Sequence, residues 1–535
     1  MKILSKVLAL GLALSLFSCA SDEPVIDNGP QNKPGTETTQ DGFYSLVRFS
    51  FPKTRSTQSE GEEIGKDYEN MVGSILVVMS TKDETSGDYK FLSYALNDAS
   101  INTPSADNKY TITFQDKEKL FEQAGNTVYI FAYCNPTEEI RNTITTLNVG
   151  DSFTDAICKT NVEGTWADNG FLMTSVKIEN KELPNKETLK TYNTPTNAFN
   201  LGTIEVIRTM SRFDFRDASP ETTAPLTYEI KNEATGDVQG SVKFTRVALF
   251  NLADKFYYLP RTKAKDATDI TLCPTYAGME SGFVVSPSDV EYTYKRPATI
   301  NPLDPAASGL KWDNLTTILI GTEDNDNNWN TEDPAKFPKD YRIWRYATEN
   351  TFAQGASVDA DKITGYVFEA EIEVADDFGN VVDGKAGEMY LYGNVLYANA
   401  TKLYENVANY PVSTLATAFN ACFNVTKDDA GNVTAITKKT DADLAAHGFT
   451  TYVPNDDGKY FCYYFAYNVH NDDEDITSVG DMEFATVRNN VYKLAITTVK
   501  RFGGFTPPKP DEWDVYFDLN VQVKPWVVRV NNIEF

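Results

Sequence analysis

Apolar and polar residues alternate along much of this chain, in short runs separated by turn residues. The first such run is Gly42-Phe43-Tyr44-Ser45-Leu46-Val47-Arg48-Phe49-Ser50-Phe51-Pro52, in which Phe43, Val47, Phe49 and Phe51 share one side at period two. Successive side chains of a strand point to opposite faces, so the pattern predicts a strand with one strongly apolar face over 43–52. Comparable runs predict strands at 75–79, 110–114, 128–133, 204–208 and 213–215. A Pro- and Thr-rich stretch at 219–225 marks a candidate domain boundary, and further strands are expected at 241–247, 366–372, 460–467 and 491–496. Helical segments are short: 117–123, 415–421 and 442–447. The sequence shows no repeat of fixed period. Many short strands with few helices predict a mostly all-β chain built from sandwiches.

The two ends carry the most information. After the first strand comes Lys53-Thr54-Arg55-Ser56-Thr57-Gln58-Ser59-Glu60-Gly61-Glu62-Glu63, a polar segment of the kind that proteases cut. At the other end Val515, Phe517, Leu519, Val521 and Val523 share one face, and Asp518, Asn520, Gln522 and Lys524 share the other. Pro525 cannot donate to a ladder and interrupts the phase; Trp526, Val528 and Val530 then form a second short apolar face. A strand of this kind is an aggregation hazard unless it has a partner.

One mechanism uses both ends. A cut after Arg55 releases 20–55 with the first strand and leaves an open groove. The last strand of another copy can fill the groove through ladder bonds, with alternate side chains in pockets. Repeated head to tail, the contact builds a filament. Burial of the five apolar side chains of 515–523 contributes roughly 7–15 kcal/mol as an upper bound. Ordering a free chain end opposes it by ~1–2 kcal/mol per residue, so ladder bonds and the emptied groove must tip the balance. In the uncut chain, 43–52 is expected to occupy the groove itself, with the tail from about Val515 poorly packed or folded back. A tail fully integrated in its own sheet counts against donation. The same alternation also fits two edge strands packed within one monomer.

The chain's 535 residues exceed one hydrophobic core and imply two domains or more. Its 29 Tyr and 31 Phe favour β-structure. A net charge of −27 excludes nucleic acid as a partner, because a phosphate backbone needs a basic patch. Residues 1–19 form a signal: Lys2 and Lys6 precede an apolar run, 7–17, that is too short to span a bilayer. The run ends in Leu16-Phe17-Ser18-Cys19, which resembles a bacterial lipoprotein box, and Cys19 is then the lipidated residue. An ordinary secretory signal with a chance Cys is the alternative. The acidic Asp22-Glu23 that follow resemble a surface-export signal, and 20–41 reads as a flexible tether. Cys134, Cys158, Cys273, Cys422 and Cys462 are odd in number and widely spaced, which suits buried small hydrophobes rather than a disulfide framework or a zinc site.

No phosphate-binding loop, nucleotide fingerprint or paired-His motif is present. The two histidines, His447 and His470, lie among polar residues and are expected at the surface. Asp324-Asn325-Asp326-Asn327-Asn328-Trp329 begins like a calcium loop but has Trp329 and Ala335 where Gly and Glu belong, and Asn471-Asp472-Asp473-Glu474-Asp475 is a charge run. Both are expected to be solvated loops. Trp329 and Trp344 could stack on a sugar, although core or rim packing is the commoner role. No enzyme activity, cofactor or metal is expected.

The chain resembles the Bacteroidales fimbrillins, the subunits of type V pili, and among them most the major shaft subunit of the short fimbriae. The resemblance rests on the lipobox at Cys19, the strand ending in Pro52-Lys53-Thr54-Arg55, and the run Ile204-Glu205-Val206-Ile207-Arg208-Thr209-Met210-Ser211-Arg212. It rests also on the Tyr-rich 458–465 followed by Val487-Arg488-Asn489-Asn490-Val491-Tyr492-Lys493-Leu494, and on Asn520-Val521-Gln522-Val523-Lys524-Pro525-Trp526. It implies two transthyretin-like β-sandwich domains, expected at 56–222 and 223–514, between a propeptide at 20–55 and a donor-strand appendage at 515–535. It further implies lipoprotein export through the outer membrane with transient lipid anchoring, cleavage by an Arg-specific protease, and polymerisation by strand exchange. Arg55 is then the cleavage residue and Ser56 the mature N-terminus; Arg48 is the rival but lies inside the strand. The partners implied are other copies of the chain and accessory fimbrial subunits, at the cell surface in a fimbrium that supports adhesion. Anchor subunits keep the lipid and tip subunits lack the C-terminal donor, so a chain with both Arg55 and a donor strand fits the shaft. The acidic insert at 321–340 and the Phe terminus depart from the pattern. The alternatives are a pilus anchor or tip subunit, or an outer-membrane surface lipoprotein that binds glycans.

Overall fold

The alternating runs become strands, and separate apolar cores collect them. The computed structural model describes residues 42–50, 63–97, 109–155, 157–159, 170–220, 222–265, 267–314, 341–351, 359–382, 384–471, 480–510 and 516–527. The strands that frame the account are, in chain order, β1 (Phe43–Ser50), β2 (Glu63–Ile64), β3 (Ile75–Lys82), β4 (Tyr89–Asn97), β5 (Lys109–Phe114), β6 (Thr127–Cys134), β7 (Met173–Ser175) and β8 (Phe199–Arg208). They continue with β9 (Met210–Arg216), β10 (Thr227–Lys231), β11 (Val238–Phe250), β12 (Arg342–Thr348), β13 (Gly365–Glu373), β14 (Tyr460–Tyr467), β15 (Asn490–Val499) and β16 (Phe517–Val527).

The N-terminal sheet runs in the order β4-β3-β6-β7-β8-β1-β5. Its core gathers Phe43, Val47 and Phe49 of β1 with Ile75, Val77, Ile112, Ile130, Leu201 and Ile204. Two further sheets, β2-β16-β15-β9-β12 and β10-β11-β13-β14, face each other across a second core. That core is aromatic: Phe213 meets Tyr366 at 5.9 Å between ring centroids, and Phe215 meets Phe368 at 5.9 Å. The chain passes from the first sheet to the second at Thr209, between β8 and β9. The structural hand-over thus precedes the expected boundary at 222, because Phe213 and Phe215 turn into the C-terminal core. The 219–225 stretch is a loop within the second half.

Between β13 and β14 lies a small unit with its own core, in which Leu403, Phe419, Phe423 and Leu444 meet. Its helices, Ala400–Asn409, Thr414–Cys422 and Asp441–Ala446, start on Asn399, Ser413 and Thr440, whose side chains accept backbone N–H groups of the first turn. Among the described residues, no helix is long and apolar enough to cross a membrane.

Several expectations meet their outcome here. Cys134, Cys273, Cys422 and Cys462 are buried and free, and burial pushes the Cys462 thiol up to about 12; the Cys158 side chain lies outside the described residues. Trp344 is buried in the C-terminal core, so it offers no platform to a sugar. Its neighbours come from distant strands, such as Tyr366 at 6.3 Å. Trp329 and the loop at 324–329 lie outside the described residues, as do 472–475. His447 is exposed as expected. His470 is not: it is half-buried, its Nδ1 lies 3.0 Å from the Tyr492 hydroxyl, and burial lowers its pKa to about 4.

Candidate functional site: the first and last strands

β1 is an interior strand. It runs parallel to β8, with Ser45 beside Phe199 and Phe49 beside Ile204, and antiparallel to β5, with Phe43 beside Phe114 and Val47 beside Tyr110. The parallel pairing bulges between Leu46 and Val47, where Gly202 on β8 takes φ +87°, a conformation glycine adopts without strain. Phe43 is the centre of an aromatic cluster, with centroids 6.3 Å from Phe114, 6.4 Å from Phe121, 6.2 Å from Tyr192 and 5.9 Å from Phe199. Burying Phe43, Val47 and Phe49 contributes roughly 5–9 kcal/mol as an upper estimate. Without β1, β5 and β8 have no strand between them, and a groove lined by Ile112, Phe114, Phe199 and Ile204 remains.

β16 is held differently. It pairs antiparallel with β15 from Val499↔Phe517 to Asn490↔Pro525. Its first apolar residues belong to the chain's own core: Phe517 and Leu519 are buried, and the Phe517 ring lies 5.3 Å from Tyr464 and 5.9 Å from Phe368. Val521 is only half-buried. On its other edge, among the described residues, β16 meets β2 alone, parallel, at Glu63↔Trp526 and Ile64↔Val527. The expectation of a poorly packed tail therefore does not describe 517–521. This part is integrated in its own sheet, the arrangement that counts against donating these residues.

A buried ionic network ties both halves together at the hand-over. Arg212 of β9 donates from Nε and Nη2 to the Asp214 carboxylate at 2.8 and 2.7 Å, and from Nη1 to Glu69 Oε2 at 3.0 Å. Its Nη2 also reaches Glu63 Oε1 at 3.2 Å. Burial works against the charge of Arg212, but the carboxylates of Asp214 and Glu69 outweigh it and hold the group protonated above its ordinary range. Glu69 sits in the short helix Asp67–Asn70 and accepts a further bond from the Tyr346 hydroxyl at 2.6 Å. Arg208 donates from Nε to the Glu69 carbonyl at 3.0 Å; with less compensation, burial lowers its pKa to about 10. Arg488 makes a two-pronged pair with Glu349 at 2.8 and 3.0 Å, and Asn489, at φ +59°, accepts the Arg208 backbone N–H at 3.3 Å. Asn489 of the Arg-Asn-Asn motif is thus a buried connector between the two halves, whereas Arg488 bonds within the second.

The structure brings Phe43, Val47 and Phe49 together on the inner face of β1. Phe51, Cys19, Arg55, Ser56, Val515, Val528 and Val530 lie outside the described residues. Val523 and Trp526 are in β16, with side chains outside what is described. The periodicity of apolar residues missed Arg212, Glu69 and Glu63, because their partners are far apart in sequence. Charged residues within an otherwise apolar strand, Arg212 and Asp214 beside Phe213 and Phe215, were the available signal.

Residues 458–532 match the family described as "Major fimbrial subunit protein type IV, Fimbrillin, C-terminal". This stretch, which holds β14, β15 and β16, is that of a fimbrillin. Among solved structures, the chain is similar to a candidate cell adhesion protein from Parabacteroides distasonis ATCC 8503, with 12% identity and a TM-score of 0.40, over 91% of this chain and 100% of that one. A fimbrilin from Porphyromonas gingivalis W83 aligns with 11% identity and a TM-score of 0.38, over 92% and 99%. A tip fimbrial protein from Porphyromonas gingivalis with C-terminal truncation aligns with 10% identity and a TM-score of 0.33, over 90% and 99%. No curated protein matches the chain.

Proposed function

We propose that this chain, with its fimbrillin C-terminal region, is a pilus subunit that becomes able to polymerise when β1 is cut away. The observation that carries the reading is the position of β1. It is interior to the N-terminal sheet, yet its only covalent link to the rest of the fold is the segment 51–62 that contains Arg55. A cut there leaves β1 held by non-covalent contacts alone, and a strand from a second copy can replace it through the same ladders. Arg48 is a poor alternative cut, because its backbone pairs with Thr203 on one side and Lys109 on the other. Cys19 carries the lipid that brings the precursor to the outer surface, and Ser56 begins the mature subunit. The role is structural rather than catalytic, and the presence of both Arg55 and an apolar-faced C-terminal strand supports a role in the shaft.

The donor is refined by the packing of β16. Phe517 and Leu519 stay in the C-terminal core as an anchor, and the part that leaves begins at Val521 and extends through Val523, Trp526, Val528 and Val530. Arg55→Ala tests the reading in cells: full-length lipidated monomer accumulates and no heat-resistant ladder forms on a gel. A normal ladder from this variant rejects the cut.

A further inference from the structure

Ser45 stands out on the inner face of β1. It alternates with Phe43, Val47 and Phe49 and is fully buried, and its hydroxyl has no hydrogen-bond partner among the described residues. Its register neighbours are Ile112 and Phe199, both buried in the N-terminal core. A buried hydroxyl without a partner forfeits its water bonds and regains none. We propose that the position of Ser45 is a pocket for an apolar side chain of a second copy's strand, and that the hydroxyl makes β1 a deliberately weaker occupant than its replacement. The inference rests on the strand-replacement reading. It supplies a direction for the exchange: the apolar positions of the part that leaves, 521, 523, 526, 528 and 530, carry no polar residue, whereas β1 carries one in four at 43, 45, 47 and 49.

The test starts with the uncut chain, where no polymer is needed. Ser45→Ala is expected to raise the midpoint of the N-terminal melting transition by roughly 2–6 °C. An unchanged or lowered midpoint overturns the proposal, whatever the chain's function. In a second measurement, Ser45→Ala chains cut with an Arg-specific protease retain the released strand longer and polymerise several-fold more slowly than the parent. Should the midpoint rise but neither parent nor variant polymerise after the cut, the pocket stands as a stability feature and the pilus reading fails. A stabilised variant that polymerises as fast as the parent overturns the occupant argument.

A separate observation concerns β16. Glu63, on β2, places its carboxylate between two cations of the C-terminal sheet: Oε2 is 2.6 Å from Lys493 Nζ on β15, and Oε1 is 3.2 Å from Arg212 Nη2 on β9. β2 is also the strand that covers the outer edge of β16. We infer that Glu63 and β2 form a latch on the distal part of β16, and that the cut after Arg55 loosens it. In the uncut chain β2 is tethered through 51–62 to β1, whereas after the cut it ends in the seven residues 56–62. A two-residue pairing depends on such tethers for its effective concentration. Amide exchange on the soluble uncut monomer reads the latch without reference to polymers: Glu63→Gln is expected to raise exchange at 523–527 at least tenfold while 490–496 on β15 stays unchanged. Lys493→Gln, which keeps the Glu63–Arg212 contact, gives a smaller rise at the same residues. Equal exchange in parent and both variants overturns the latch.

Discussion

The first and last described strands both present one apolar face, yet they are held in opposite ways. β1 has a partner on each edge and three apolar side chains in the core, and the chain continues from it into the rest of the fold through 51–62. Among the described residues, β16 has one full partner, a two-residue cap, and an aromatic anchor at its start, Phe517. On the proposed reading a strand buried inside a sheet, one position from its edge, is the replaceable one, because its removal leaves β5 and β8 with no strand between them. The strand that could supply a replacement is anchored at its root by Phe517 and Leu519, while Val521 is only half-buried.

The comparison breaks most visibly when β1 is absent. A chain that starts at Ser56 loses the burial of Phe43, Val47 and Phe49, a loss of roughly 5–9 kcal/mol confined to the N-terminal sandwich. Calorimetry is expected to show that transition shifted far down, with the C-terminal one close to its original place. A single transition shifted as a whole indicates that the two halves do not melt separately. Arg212→Met acts on both regions, because it leaves Glu69 and Asp214 buried without their cation. A loss of about 3–5 kcal/mol in chemical denaturation is expected. The root of β16 is sharpened by Phe517→Ala, which should cost about 3–5 kcal/mol of C-terminal stability, against about 1 kcal/mol for Val521→Ala. Equal losses at the two positions contradict an anchor followed by a looser tail.

A further effect is one of pH. His470 titrates at about 4 in the folded chain and at about 6.5 when unfolded, so the unfolded state binds more protons between these values. Its contribution is fully present above pH 6.5 and is lost as the pH falls toward 4. The loss amounts to up to about 3 kcal/mol relative to His470→Asn, read from denaturation midpoints across that window. Coincident pH profiles reject the half-buried, neutral ring.

Strand positions were legible because their signal is local. The Tyr-rich run predicted at 460–467 is β14 residue for residue, and the helix expected at 117–123 is Lys117–Glu122. The helix Glu138–Thr145 was overlooked, although Thr137 followed by two glutamates is a start signal, and Thr137 does cap it. What periodicity cannot give is the partner. The alternation at 515–523 is the same for a strand paired in its own sheet as for one waiting for another chain. Likewise His470 reads as a loop residue from its sequence neighbours and is half-buried only because Tyr492 comes back to it. Trp344 reads as a possible platform, yet it is covered by strands far along the chain. The Arg212–Glu69 pair spans 143 positions, a separation at which no local pattern operates.

The central claim is that β1 leaves the subunit. It is tested most directly by the N-terminal sequence and intact mass of the protein sheared from the cell surface in polymeric form. The account predicts a chain that begins at Ser56, carries no lipid and lacks residues 20–55. A polymer whose subunits begin at lipidated Cys19 and still contain 43–50 contradicts it, and returns both strands to the packing of a single anchored protein.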